Sequence, residues 1–166
     1  MKTKEIIDHI KNWLISYNKS SKAKGFIIGI SGGIDSAVTS TLLAQTKLPL
    51  LCLEMPIHQN SSQVSRGKKH IKWLEKKYEN VSSLEINLTD LFESFKKISN
   101  TENQDTNLAL ANTRSRLRMT TLYYNAQINN YLVAGTGNKV EDFGIGFYTK
   151  YGDGGVDISP IADLLK

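Results

Sequence analysis

With a single cysteine, Cys52, the chain can form no internal disulfide, and that residue falls in an apolar run. A cysteine used as a core residue fits a reducing compartment, so the cytoplasm is the expected location. No run approaches the roughly 20 apolar residues that cross a bilayer. Met1-Lys2-Thr3-Lys4-Glu5 leads into an amphipathic pattern without a signal-peptide core, so no membrane association is expected. His9, His58 and His70 are scattered and lack metal-ligand spacing. No nucleic-acid motif accompanies the formal charge of +5. The charge therefore favours anionic partners, and no nucleic acid is expected among them.

What is present suits one soluble domain of 166 residues, long enough to bury a core around one sheet. Ile6, Ile10, Trp13 and Tyr17 recur at helical spacing and predict a helix ending near Asn18. Gly25–Ile30 is a short apolar run expected as a buried strand, with a helix over Ala37–Gln45 and a second strand over Leu48–Met55. A helix from about Gln63 to Tyr78, a shorter strand over Ser83–Asn87 and a helix over Leu88–Ile98 follow. The polar stretch Ser99–Thr106 is expected as a loop before a long helix over Leu108–Asn129 and a strand over Tyr131–Gly135. From Thr136 the chain is Gly-rich and irregular, with a helix expected near Pro160. Strands alternating with helices predict an α/β fold with a parallel sheet.

The segment Gly29-Ile30-Ser31-Gly32-Gly33-Ile34-Asp35-Ser36 sits where the first strand meets the following helix. Three glycines in five positions permit close approach of an anion and tolerate positive φ. The helix directs its free N–H groups and positive dipole end to the same place, which makes a phosphate cradle. Ser31 and Ser36 add hydroxyl donors. The loop lacks the lysine of a Walker A motif, and its glycines are not spaced as in a dinucleotide fingerprint. Asp35 would repel phosphate unless a cation stood between them, and Mg²⁺ favours one or two carboxylates plus phosphate oxygens. The alternative is a glycine turn between strand and helix.

Ser31-Gly32-Gly33-Ile34-Asp35-Ser36 matches the SGGxDS signature of the ATP pyrophosphatase loop, whose enzymes split ATP between its α and β phosphates. Three later segments choose within that superfamily. Arg116-Leu117-Arg118-Met119 with Tyr123 resembles the RxRM…Y segment of NAD synthetases. Thr136 and Glu141 resemble that family's strand-end motif, although Gly137-Asn138-Lys139-Val140 replaces its Asp-His-Ala-Ala. Phe147–Gly155 resembles its FTKYGDGG segment, and Asp157-Ile158-Ser159-Pro160 continues the match. By these motifs the chain is identified as similar to ammonia-dependent NAD synthetases, with the Rossmann-like fold of adenine-nucleotide alpha hydrolases. Those enzymes continue further at the C-terminus, so residues 1–166 are expected to be an ATP-pyrophosphatase domain lacking that part.

The resemblance implies amidation of deamido-NAD with ammonia and ATP, giving NAD, AMP and pyrophosphate through an adenylated intermediate. It assigns ATP to residues 29–36, Thr136 and Lys166, and deamido-NAD to Arg116, Tyr123, Lys150 and Asp157. It assigns Mg²⁺ to Asp35 and Glu141, with transition-state support from Ser31, Asp35 and Asp153. It also implies a homodimer. Helical geometry separates Arg116 from Arg118 by about 200°. One can face a ligand while the other faces a neighbouring chain or phosphate, and the family pattern favours Arg116. Tyr123, two helical turns from Arg116, is open between a dinucleotide contact and a core aromatic. Only about 25 residues precede the loop, too few for a glutaminase, so ammonia is expected free or from another protein. Two rivals stand beside this reading: another ATP-pyrophosphatase enzyme, such as one that modifies tRNA, and a catalytically incomplete nucleotide-binding fragment.

Overall fold

The computed structural model describes residues 2–59, 61–99 and 106–165. Helix α1 (Thr3–Ser21) leads to strand β1 (Gly25–Gly29), helix α2 (Ile34–Gln45), strand β2 (Leu50–Glu54), helix α3 (Ser61–Lys77) and strand β3 (Val81–Glu85). Helices α4 (Thr89–Ile98) and α5 (Asn107–Asn129), strand β4 (Tyr131–Ala134) and a π-helix (Val140–Ile145) follow. The strands form one parallel sheet in the order β3-β2-β1-β4. The α/β fold with helices flanking a parallel sheet is therefore the one expected.

Strand side chains alternate between faces, and a sheet covered on both sides selects a continuous apolar run. In β1, Phe26 and Ile28 pack with Leu14 of α1, Leu43 of α2 and Leu74 of α3. Ile27 packs oppositely, with Phe92 of α4 and Met119 and Leu122 of α5. Phe26, Ile27 and Ile28 are fully buried, each such side chain contributing about 1.5–3 kcal/mol. Cys52 is a buried core residue, as expected, and burial pushes its thiol up to about 12.

Two boundaries differ for identifiable reasons. Strand β3 starts at Val81, ahead of the expected Ser83, because the Asn80 side chain closes the preceding turn. Its Nδ2 donates to the carbonyls of Ala44 (3.1 Å) and Leu48 (2.7 Å). The helix expected near Pro160 is reduced to turns, in which Ala162 N–H donates to Ser159 O and Leu164 N–H to Ile161 O. Residues 100–105, most of the expected polar loop, lie outside the described residues. Strand β4 forms the other sheet edge, where Ala134 makes a parallel bridge to Ile158.

Candidate functional site

The Ile30 N–H donates to Leu53 O at 2.8 Å and carries the β1–β2 ladder to the rim of the sheet, from which the glycine loop leaves. Gly32 has φ +80, and a Cβ there would lie 2.5 Å from the Gln63 carbonyl oxygen of α3. Helix α2 begins at Ile34, not at the expected Ala37, with Gly33 as an extended N-cap. Asp35 and Ser36 thus belong to the first helical turn, where N–H groups have no intrahelical acceptor. The hydroxyls of Ser31 and Ser36 lie 3.2 Å apart, Gly33 N–H donates to Ser31 Oγ, and Ser36 Oγ–H donates to Gly33 O. Ser36 is buried and braces the loop, while Ser31 is exposed. Two α3 residues without an expected role brace the loop and the first turns of α2. Arg66 Nε–H donates to Gly32 O at 3.3 Å, and His70 Nε2 lies 2.8 Å from the buried Ser40 hydroxyl, which donates to Ser36 O.

Across the rim, β4 ends at Ala134, so Thr136 stands just beyond the strand at the carboxyl edge. Asn138 lies in the segment that departs from the family's Asp-His-Ala-Ala. It is buried, and its Oδ1 accepts from the N–H groups of Val140 and Glu141, both at 3.1 Å. It therefore caps the π-helix that carries Glu141. Asp142, also overlooked, has its pKa raised by burial and then by the carboxylates of Asp153 and Glu141. Asp153 and Glu141 thus each act on Asp142 near this edge. Among the described residues, no group of three or more His, Cys, Asp or Glu forms a metal cage. Lys166 lies outside the described residues.

The Gly-rich segment after the π-helix is docked on α5. Asp153 Oδ1 accepts from Ser115 Oγ–H (2.6 Å) and Thr149 N–H (3.0 Å), and Asp153 N–H donates back to Ser115 Oγ (2.9 Å). Thr149 Oγ1–H donates to Asn112 Oδ1 at 2.9 Å, and Arg116 Nε–H donates to Lys150 O at 3.1 Å. Tyr123 OH donates to Asp157 Oδ1 at 3.0 Å, while Asp157 Oδ2 accepts from Val133 N–H at 2.8 Å. Arg116 and Tyr123, seven positions apart, thus engage the same segment. Burial, followed by the Asp157 hydrogen bond and charge, pushes the Tyr123 hydroxyl up to about 12. Lys150 Nζ lies 5.0 Å from the Tyr151 ring centroid. Ser115 and Asn112 carry no motif signal; only their spacing on one α5 face could have marked them.

Strands β1, β2 and β3 proceed in one direction across the sheet, and β4 returns to the other side of β1. The β1–β4 boundary is therefore the topological switch point, where open α/β sheets bind ligands. A cavity of about 320 Å³ opens there, lined by Ser31 from the glycine loop, Thr136 beyond β4, and Asp153. Gly29 and Ile30 also reach it, whereas Arg116, Tyr123, Lys150, Asp157, Asp35 and Glu141 are not in its wall. The α5 arginine in the wall is Arg118, with Met55, Met119 and Leu122 supplying apolar surface. Arg114 instead lies over the Phe92 ring at 5.2 Å and serves packing. A larger apolar groove, about 770 Å³, lies between α1, α2, Trp73 of α3 and the residues around Leu164, and among the described residues of the predicted set only Ile34 lines it.

The whole chain is 40% identical over 169 residues to an NH(3)-dependent NAD(+) synthetase of Mesoplasma florum, covering 66% of that protein. It is also 40% identical to that of Carboxydothermus hydrogenoformans, with 98% of this chain covering 65% of the relative. The chain thus spans just under two thirds of these curated relatives. Among solved structures, an NMN synthetase from Francisella tularensis superposes with a TM-score of 0.90 at 33% identity, over 99% of this chain and 66% of that one. An NH3-dependent NAD synthetase from Campylobacter jejuni gives 0.89 at 30% identity, over 100% of this chain and 69% of that one. Residues 6–166 match the NAD synthase family, and the chain belongs to that family.

Proposed function

We propose that residues 1–166 act as an ATP-pyrophosphatase domain that amidates deamido-NAD with ammonia. The observation that carries this reading is the meeting of the SGGxDS loop, Thr136 and the docked Gly-rich segment at one switch-point cavity. The loop N–H groups and the α2 N-terminus bind the triphosphate of ATP, and Ser31 and Thr136 orient it. The pyridine carboxylate of the dinucleotide attacks the α-phosphorus, and the bond to the β-phosphate oxygen breaks to release pyrophosphate. Ammonia then attacks the acyl carbon of the mixed anhydride, loses a proton, and AMP leaves with the former carboxylate oxygen. No side-chain nucleophile takes part; catalysis rests on positioning and on fixed dipoles facing the developing charge.

Asp35 and Glu141 are the residues that would hold Mg²⁺, whose charge would neutralise the polyphosphate. The raised pKa of Asp142, caused partly by Asp153 and Glu141, marks an edge where a cation would relieve repulsion. Arg116, Tyr123, Lys150 and Asp157 bind deamido-NAD, and Lys166 adds a phosphate contact. A homodimer is consistent with large apolar side chains exposed on α5 and the π-helix, among them Tyr124, Ile128 and Phe143. A second reading, with a mononucleotide as acceptor, is favoured by the NMN synthetase among the relatives.

Pyrophosphate release, assayed with ATP, Mg²⁺ and ammonia, tests the reading. Deamido-NAD should stimulate release more than nicotinate mononucleotide, and Asp35→Ala should abolish it with the fold intact by circular dichroism. Release stimulated only by tRNA would refute the reading, and stimulation mainly by the mononucleotide would move it to the second acceptor.

A further inference from the structure

Arg118 of α5 lines the switch-point cavity, as do Met55, just beyond β2, and Ser31 of the glycine loop. Its Nε–H donates to Met55 O at 2.9 Å, which fixes the plane of the guanidinium. Among the described residues, the ion pairs formed leave Arg118 with no carboxylate partner. The carboxylate in the same wall, Asp153, is committed at Oδ1 to Ser115 and Thr149. Burial, and then the charge of Arg114, lower the Arg118 pKa, as befits a cation with poor compensation. A partly buried, uncompensated guanidinium is costly to a folded chain. With Nε–H given to Met55, the four remaining donors of its rigid fork suit a planar or tetrahedral oxyanion.

We infer that Arg118 is the oxyanion-binding residue of the switch-point cavity, holding an anionic oxygen of the bound ligand against the glycine loop. The inference rests on the ATP-amidation reading of the site and names a contact that reading does not assign. It also separates the two arginines of the RxRM segment. Arg116 is exposed and donates to Lys150 O, which gives it the Gly-rich segment to hold. Arg118 faces the cavity. Two sources offer the required chemistry: a phosphoryl group of ATP and the carboxylate of the acceptor pyridine.

Isothermal titration of the 166-residue chain separates them through ratios. The first arm compares a non-hydrolysable ATP analogue with adenosine. The second compares deamido-NAD with NAD, which differ by carboxylate against carboxamide. The wild type should favour the anionic member of at least one pair. In Arg118→Gln that preference should fall roughly tenfold to hundredfold, the worth of a hydrogen bond to a charged group. Arg118→Lys, which keeps the charge and loses the fork, should retain an intermediate preference. A purely structural role, through the Met55 carbonyl, would lower both members of a pair together and leave the ratios unchanged. Unchanged ratios in Arg118→Gln, with wild-type binding intact, overturn the inference alone. Failure of the wild type to bind the ATP analogue overturns the parent reading and the inference with it.

Discussion

Replacing Gly32 by alanine should damage the fold far more than the same change at Gly33. Gly32 has φ +80, where an L-residue pays about 1–2 kcal/mol. Its new Cβ would also lie 2.5 Å from the Gln63 carbonyl oxygen and 3.2 Å from Gly67 N. Both neighbours are α3 backbone, so relief requires moving a helix, and overpacking of that kind costs about 1–3 kcal/mol. The sum, about 2–5 kcal/mol, is a large share of a domain's usual 5–15 kcal/mol. Gly33 has φ −88, and its Cβ would meet only Ser31 Oγ at 3.3 Å. Its replacement forfeits part of an N-cap preference, about 1 kcal/mol or less. Urea denaturation followed by circular dichroism measures both. At an m-value of about 2 kcal/mol/M, Gly32→Ala should lower the midpoint by about 1–2.5 M. Gly33→Ala should lower it by about 0.5 M or less. Equal midpoints for the two variants would refute the claim that the loop is clamped against α3.

Tyr123→Phe should reduce alkaline sensitivity. A phenol pKa raised in the folded state stabilises fully below its unfolded value near 10 and loses that contribution as pH rises towards about 12. Thermal melts between pH 9 and 12 should therefore show a steeper decline for the wild type than for the variant, and parallel declines would count against the Asp157 bond. Cys52, buried with its thiol pushed up to about 12, should resist iodoacetamide until the chain unfolds; alkylation at the rate of a free thiol under native conditions would contradict the core assignment. Ser115→Ala removes both hydrogen bonds between Ser115 and Asp153 and should speed amide exchange at Thr149 and Asp153 several-fold while leaving β1 amides unchanged. Uniform exchange in both regions would show that the segment is not locally latched.

The glycine loop was legible because its evidence is local. A buried strand, glycines at 29, 32 and 33, and a following helix are all readable in one stretch of chain. The sheet order was not, since nothing in an apolar run says which neighbour it pairs with, and the switch point depends on β4 lying beside β1 rather than β3. The arginine pair shows the limit sharply. The 200° separation of Arg116 and Arg118 follows from helix geometry alone. Which of the two meets the cavity depends on which α5 face packs on the sheet. Apolar residues lie on several sides of α5, with Met119 and Leu122 buried but Leu108, Tyr124 and Ile128 exposed. Asn138 and Asp142 were illegible for another reason. Glycines at 137, 144 and 146 obscure helical periodicity, so a π-helix there gave no signal for a cap to accompany.

Strand β4 makes site and scaffold inseparable. As an edge strand it must satisfy its outward backbone groups. It does so with the segment that follows the Gly-rich loop: Asp157 N–H donates to Val133 O, Gly135 N–H to Ile158 O, and the Asp157 carboxylate accepts from Val133 N–H. The same carboxylate receives the Tyr123 hydroxyl from α5. An ionised carboxylate has about four acceptor sites, so these two bonds leave capacity for a ligand without breaking the edge. The dinucleotide contact proposed for Asp157 would therefore not compete with these two bonds, and removing its charge would loosen the edge of the sheet. A variant that weakens binding at Asp157 must consequently be judged by a stability measurement made beside it, because the residue proposed to contact the dinucleotide also closes the edge of the sheet.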